Sequence, residues 1–132
     1  MADFEQALLA RLTADSGVSA LAGSRLYWGL IPQGKARPYV RLQVISDPRP
    51  QHLKGYFGAR QTRVRADCMA DKYGDARALA AAVIAALAEP VTSGGVHFGR
   101  GKAEGPRTDG EDTESGFVHR ASVDLLVEHK LA

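Results

Sequence analysis

Three stretches of this chain alternate apolar and polar side chains with a period of two. In "YVRLQVIS", Val40, Leu42 and Val44 point one way while Tyr39, Arg41 and Gln43 point the other. In "QTRVRADCM", Thr62, Val64, Ala66 and Cys68 oppose Arg63, Arg65 and Asp67. In "FVHRASVDLLVEH", Phe117, His119, Ala121, Val123, Leu125 and Val127 oppose Arg120, Ser122, Asp124 and Glu128, with Val118 and Leu126 as apolar exceptions. Period two is the signature of an extended chain with one covered face. Strands of this kind belong to antiparallel sheets, because parallel ones are buried on both sides and read as continuous apolar runs. Something else in the chain must then cover the apolar face.

Two helices are available to do so. Over Asp3–Asp15, Phe4, Leu8 and Leu12 recur at helical spacing with Ala7 beside them. Asp3 is placed to cap this helix through the amide of Gln6, and "DSG" ends it. "VSALAG" adds a short turn up to Gly23. The second helix spans roughly Asp71–Ala88, with Asp71 as N-cap and Pro90 as stop. Leu79, Val83 and Leu87 form its stripe, and Ala80 and Ile84 widen it. "RLYWGL" (Arg25–Leu30) reads as a first strand, and "VTSGGVHFG" as a short strand or a tight hairpin around Gly94–Gly95. The expected fold is α+β: an antiparallel sheet with two helices packed on one face.

The chain has 132 residues, enough for a single domain over 1–132 with a core that needs no disulfide or metal. Hydrophobic residues make up 45% and charged ones 24%, a globular balance. A net charge of +2 is too small to argue for nucleic acid by itself. The lone Cys68 forms no internal disulfide and suits a reducing compartment. The N-terminus carries acids where a signal peptide has basic residues. The longest apolar run, Ala78–Ala88, falls short of a membrane span of about 20 residues.

No catalytic constellation emerges. "GRGKAEGPRTDGEDTESG" (Gly99–Gly116) holds glycines, but Gly99, Gly101 and Gly105 are spaced one residue too widely for a dinucleotide loop, and no helix follows. Its acids lack the fixed offsets of a calcium loop. His52, His97, His119 and His129 have no metal-ligand spacing. His119 reads as a core histidine with one hydrogen bond, and Cys68 as packing. Ser122 and Asp124 lie opposite His119 across the strand, so no triad forms. No catalytic, cofactor-binding or metal-binding residue is assigned.

Interaction residues remain. Two long polar connections, Asp47–Ala59 and Gly99–Gly116, supply candidate partner contacts: Arg49, His52, Lys54, Tyr56 and Phe57 in the first, and Arg100, Lys102, Arg107, Asp109, Glu111, Asp112 and Glu114 in the second. Gly99–Gly116 is expected to be an extended arm, mobile in the free monomer, with basic residues early and acidic ones late. Arg41, Arg63 and Arg65 share the polar faces of two neighbouring strands, with Asp67, Asp124 and Glu128 available to neutralise part of the stripe. These arginines are a candidate lumen or subunit interface. The alternative is a small nucleic-acid-binding domain using the same strand face, although aromatics are not interleaved with the arginines.

The opening helix, "VSALAGSRLYWGLIP", "RPYVRLQVIS", "TRVRADCMA" running into "DARALAAAVIAAL", and "FVHRASVDLLVEH" occur in an order and spacing that resemble a known family. The chain resembles, over nearly its whole length, the tail terminator or tail completion proteins of long-tailed phages and gene transfer agents. The resemblance implies a structural virion protein, not an enzyme, with no cofactor. It implies a homo-oligomeric ring, a hexamer, that caps the tail tube, ends its polymerisation and joins the tail to the head. The implied partners are the major tail-tube protein, a head-side connector or stopper protein, and passing genome DNA bound without sequence specificity; no membrane is involved. The implied location is the head–tail junction of the virion, after assembly in the host cytoplasm.

Overall fold

The computed structural model describes residues 3–47, 51–52, 55–56, 60–114 and 116–131, with the backbone alone at 51, 52, 55, 56 and 131. Helix α1 (Phe4–Ala14) starts at Asp3, whose carboxylate accepts from the Glu5 amide at 3.4 Å, not from Gln6 as expected. Asp15 closes α1 and opens a second helix, α2 (Ser16–Ala22), by accepting from the Val18 amide at 3.0 Å. The expected short turn is thus a helix of its own, and the described residues contain three helices instead of two.

Strand β1 (Leu26–Trp28) is followed by β2 (Tyr39–Ser46) and by β5 (Arg60–Ala70). Between β2 and β5, the connection expected to be a loop carries a separate two-stranded hairpin of β3 (Gln51–His52) and β4 (Gly55–Tyr56). Helix α3 (Tyr73–Ala86) comes next, then β6 (Val91–Ser93), β7 (Val96–Phe98), β8 (Lys102–Thr113) and β9 (Gly116–Leu131). β6 and β7 turn at Gly94 and Gly95, both at positive φ, the conformation that a tight hairpin needs. The main sheet runs β1-β2-β5-β9-β7-β6, with β8 also on β9. β9 is its spine: β5 lies along one edge, and β8 and then β7 along the other.

Two expectations about the sheet are corrected. β1 pairs parallel to β2, Leu26 opposite Val40, so the sheet is mostly but not wholly antiparallel. The segment 29–38 carries the chain back to the start of β1, which a tight turn could not do. The stretch Gly99–Gly116 is not an arm without secondary structure. Residues Lys102–Thr113 form β8, paired with β9 from Lys102 opposite Leu126 to Thr113 opposite Gly116. Its alternation is invisible in sequence because both of its faces are polar, so pairing with β9 sets its conformation.

The core joins the helices to the sheet. Leu8 and Leu12 of α1, Val18 of α2, and Leu79, Ala80 and Val83 of α3 are buried together with Val40, Leu42, Val64, Ala66, Cys68, Val123 and Leu125. α3 packs against β5 and β9. Each fully buried leucine contributes about 2 kcal/mol of apolar transfer. Asp71 does not cap α3. The N-cap is Lys72, without a side-chain bond, while Asp71 accepts from Arg37 Nε at 2.6 Å. Two side chains expected to point inward lie near strand ends and stay exposed, Val44 at 38% and Phe117 at 46%.

Candidate functional site

The polar side of the sheet is one surface built by four strands. Residues directly opposite in an antiparallel ladder share a face. Arg41 lies opposite Asp67, Arg65 opposite Asp124, and Asp67 opposite Ser122. On β8, Glu104 lies opposite Asp124, Arg107 opposite Ser122, and Asp109 opposite Arg120. Simple alternation would put Lys102 and Glu104 on the face opposite to Arg107 and Asp109. A bulge between Glu104 and Arg107, at Gly105 (φ 104) and Pro106, inserts the extra residue that returns all four to one face.

The arginines are paired within this face. Arg41 donates to Asp67 at 2.8 Å, and Ser122 Oγ donates to the other Asp67 oxygen at 2.6 Å, which satisfies a carboxylate that is 3% exposed. Asp124 accepts from Arg65 Nε at 3.0 Å and from Arg63 at 3.4 Å, with Arg107 at 3.9 Å. The Arg65 bond holds the Asp124 carboxyl below its usual range and raises the Arg65 guanidinium. Arg120 clasps Asp109 with two bonds of 2.8 and 2.9 Å, which lowers Asp109 and raises Arg120 in the same way. Arg41, Arg65, Arg107 and Arg120 with Asp67, Asp109 and Ser122 line a shallow open depression of 350 Å³. Their side chains stay partly exposed: about a third for Arg41, Arg65 and Arg120, and 70% for Arg107.

The sequence candidates divide accordingly. Arg41, Arg63, Arg65, Arg107 and Asp109 come together on this face. Lys102 stands on the same face near its end, opposite Leu126. Glu111, Asp112 and Glu114 are exposed at the far end of the β8–β9 hairpin and have no ion-pair partner among the described residues. Arg100 lies apart, 3.7 Å from Glu89. His52 and Tyr56 fall in the small β3–β4 hairpin, described for their backbone only, and Arg49, Lys54 and Phe57 lie outside the described residues. Sequence reading passed over Arg120 as a site residue, although the alternation of the last strand put it on the polar face beside Asp124.

His119 is not a core histidine. It is half-buried between the rings of Tyr73 and Phe117, at 5.9 and 4.8 Å. Cys68 is fully buried, and burial pushes its thiol up to about 12, so it packs as an apolar group. Among the described residues no cluster of His, Cys, Asp and Glu could hold a metal ion, and no helix is long and apolar enough to cross a membrane. What this face can do chemically is meet charged groups through pre-positioned guanidiniums.

The family described as tail completion protein gp17 matches residues 6–125. The chain belongs to that family. It is therefore a structural protein of the virion tail. Among solved structures, a chain of the virion of a native gene transfer agent particle is similar, with a TM-score of 0.62 and 22% identity over 97% of this chain and 93% of that one. A second solved chain has a TM-score of 0.57 and 14% identity, over 98% of this chain and 97% of its own. At these identities the likeness is one of fold. No curated protein matches the chain by sequence.

Proposed function

We propose that this tail completion protein forms a homo-oligomeric ring, a hexamer, that caps the finished tail tube and joins it to a head-side connector or stopper. The observation that carries the reading is the family match from residue 6 to 125, nearly the whole chain. In this reading the helices lie together on one side of the sheet and close the core, while the charged side and the β8–β9 hairpin are left for neighbours. A tube of stacked rings offers each new ring the same heterologous surface and grows without limit. A ring that binds the last tube ring and presents a different far side stops that growth. Genome DNA passes through the lumen without sequence-specific contact. The role needs no catalysis and no cofactor. Arg41, Arg63 and Arg65 contribute to the subunit interface or lumen. The β3–β4 segment (Arg49, His52, Lys54, Tyr56, Phe57) and Arg100 with the β8–β9 hairpin supply contacts to the tube, the connector or the next subunit.

The nucleic-acid reading is weakened by the pairing of the stripe. Arg41, Arg63 and Arg65 each meet a carboxylate on the same face, so little of their field is left for phosphates. Electron microscopy of particles assembled without this protein tests the capping role. Over-long tubes and unjoined heads are expected, and tails of normal length would overturn it. Retention on duplex DNA that fades as salt rises would favour the alternative.

A further inference from the structure

The reading of this protein as a ring leaves open which surfaces meet, and one pair of surfaces on the molecule is complementary. β5 pairs with β9 only as far as Ala70 opposite His119, so the described hairpin residues 111–114 and 116–118 continue past the neighbouring strand. That end carries Glu111, Asp112 and Glu114, all exposed and without an ion pair among the described residues, beside the exposed ring of Phe117. Three of the four arginines of the depression on the same sheet face are paired, Arg41 with Asp67, Arg65 with Asp124 and Arg120 with Asp109; Arg107, 70% exposed and 3.9 Å from Asp124, is the cation left to receive a partner. Glu111 already acts on Arg120 at the rim of the depression in the same molecule, but the tip of the hairpin cannot reach Arg107. An extended strand rises about 3.3 Å per residue, which sets Glu114 roughly 20 Å from Arg107 along the same rigid ladder.

We infer that the acidic end of the β8–β9 hairpin of one copy seats in the arginine-lined depression of the next. The contact is head-to-tail: the surface that gives and the surface that receives differ, and both are present on every copy. Repeated contacts of this kind close into a ring when the rotation between copies allows it. Each charged contact at a wet rim is weak, so the interface is salt-sensitive and gains strength by repetition around the ring. This inference rests on the ring reading and adds the identity of the two surfaces.

A charge-exchange experiment tests it. One variant carries Asp112→Lys and Glu114→Lys, and the other carries Arg107→Glu. All three positions are exposed, so circular dichroism and melting temperature should match the wild type. Self-association is read by light scattering over a concentration series at low salt, alone and with tail-tube protein. Each variant alone is expected to associate at least roughly tenfold more weakly than the wild type. An equimolar mixture of the two is expected to recover, because the lysines of one now meet the glutamate of the other. If the wild type associates and either variant does so equally well, or if the mixture stays dissociated, the hairpin-to-depression contact is wrong and the ring reading stands. If the wild type remains monomeric in both settings, the ring reading falls as well.

Discussion

His129 shows how one residue ties the end of the sheet to the first helix. It is buried, its Nε2 lies 2.7 Å from Thr62 Oγ1, and its ring stacks on Phe4 with centroids 3.8 Å apart. Arg60 and Asp47 form an ion pair beside it, and Thr62 also donates to Asp47 at 3.0 Å. Burial, and then the Arg60 charge, lower its pKa from 6.5 to about 4, with Asp47 opposing. The unfolded chain thus binds this proton more tightly than the folded one. The stability supplied by the neutral ring is complete above pH 6.5 and is lost as the pH falls toward 4. Asp109 and Asp124 are held below the usual carboxylate range, so their contributions are lost at lower pH than that of His129. The melting temperature is expected to fall across the His129 range, and His129→Gln should remove most of that slope at some cost in stability at neutral pH. An unchanged slope in the variant would assign the acid sensitivity elsewhere.

At the scale of elements, α3 and the β8–β9 hairpin make contrasting demands. α3 is held by burial: Leu79, Ala80 and Val83 are fully enclosed against β5 and β9. Val83→Asp places an uncompensated carboxylate there and should cost several kcal/mol, read as a collapse of the thermal transition. An unshifted melting temperature would mean that the helix does not face the sheet as described. β8 buries little and is held by its ladder to β9. Its bulge at Gly105–Pro106 keeps Glu104 near Arg63, at 3.6 Å, on the same face as Arg107 and Asp109. Deleting Gly105 and Pro106 together removes two residues, shifts residues 102–104 by one place against β9 and should turn Lys102 and Glu104 to the opposite face. The expected result is a modest loss of stability, about 1–2 kcal/mol, with weakened self-association. A variant that melts and associates like the wild type would show that the bulge sets nothing.

The described residues form a mostly antiparallel sheet whose core side chains pack with those of the helices and whose charged face is cross-linked by ion pairs among four strands. The end of the β8–β9 hairpin extends past the last residue of β5. Replacing residues 111–118 by Asn-Gly joins Gly110 to His119 with a tight turn and leaves the β8 ladder intact up to Asp109 and Arg120. The shortened chain is expected to fold with a melting temperature close to that of the wild type. It should fail to cap tails in an assembly reaction with tail-tube protein, giving over-long tubes by electron microscopy. If capping survives the truncation, the hairpin end is a turn and nothing more.

Period two in "QTRVRADCM" and "FVHRASVDLLVEH", the stripe Leu79, Val83 and Leu87, and the pair Gly94–Gly95 were legible because each is a local pattern of side chains around a backbone of known repeat. From these, with the alternation of "YVRLQVIS" and the spacing of Phe4, Leu8 and Leu12, came the central strands β2, β5 and β9, the helices α1 and α3, and the polar placement of Arg41, Arg63 and Arg65. Other features depend on partners far away in sequence. Lys102–Thr113 is a strand because β9 supplies its hydrogen bonds, and its exposed side chains carry no apolar rhythm to betray it. β1 runs parallel to β2 because of where the segment 29–38 returns the chain. Asp71 answers to Arg37 and not to its own helix. The neutralised arginine face, Asp67 between Arg41 and Ser122 and Asp124 between Arg63 and Arg65, exists only once three strands lie side by side. Local periodicity can say which way a side chain points, and only tertiary pairing decides which charge it meets.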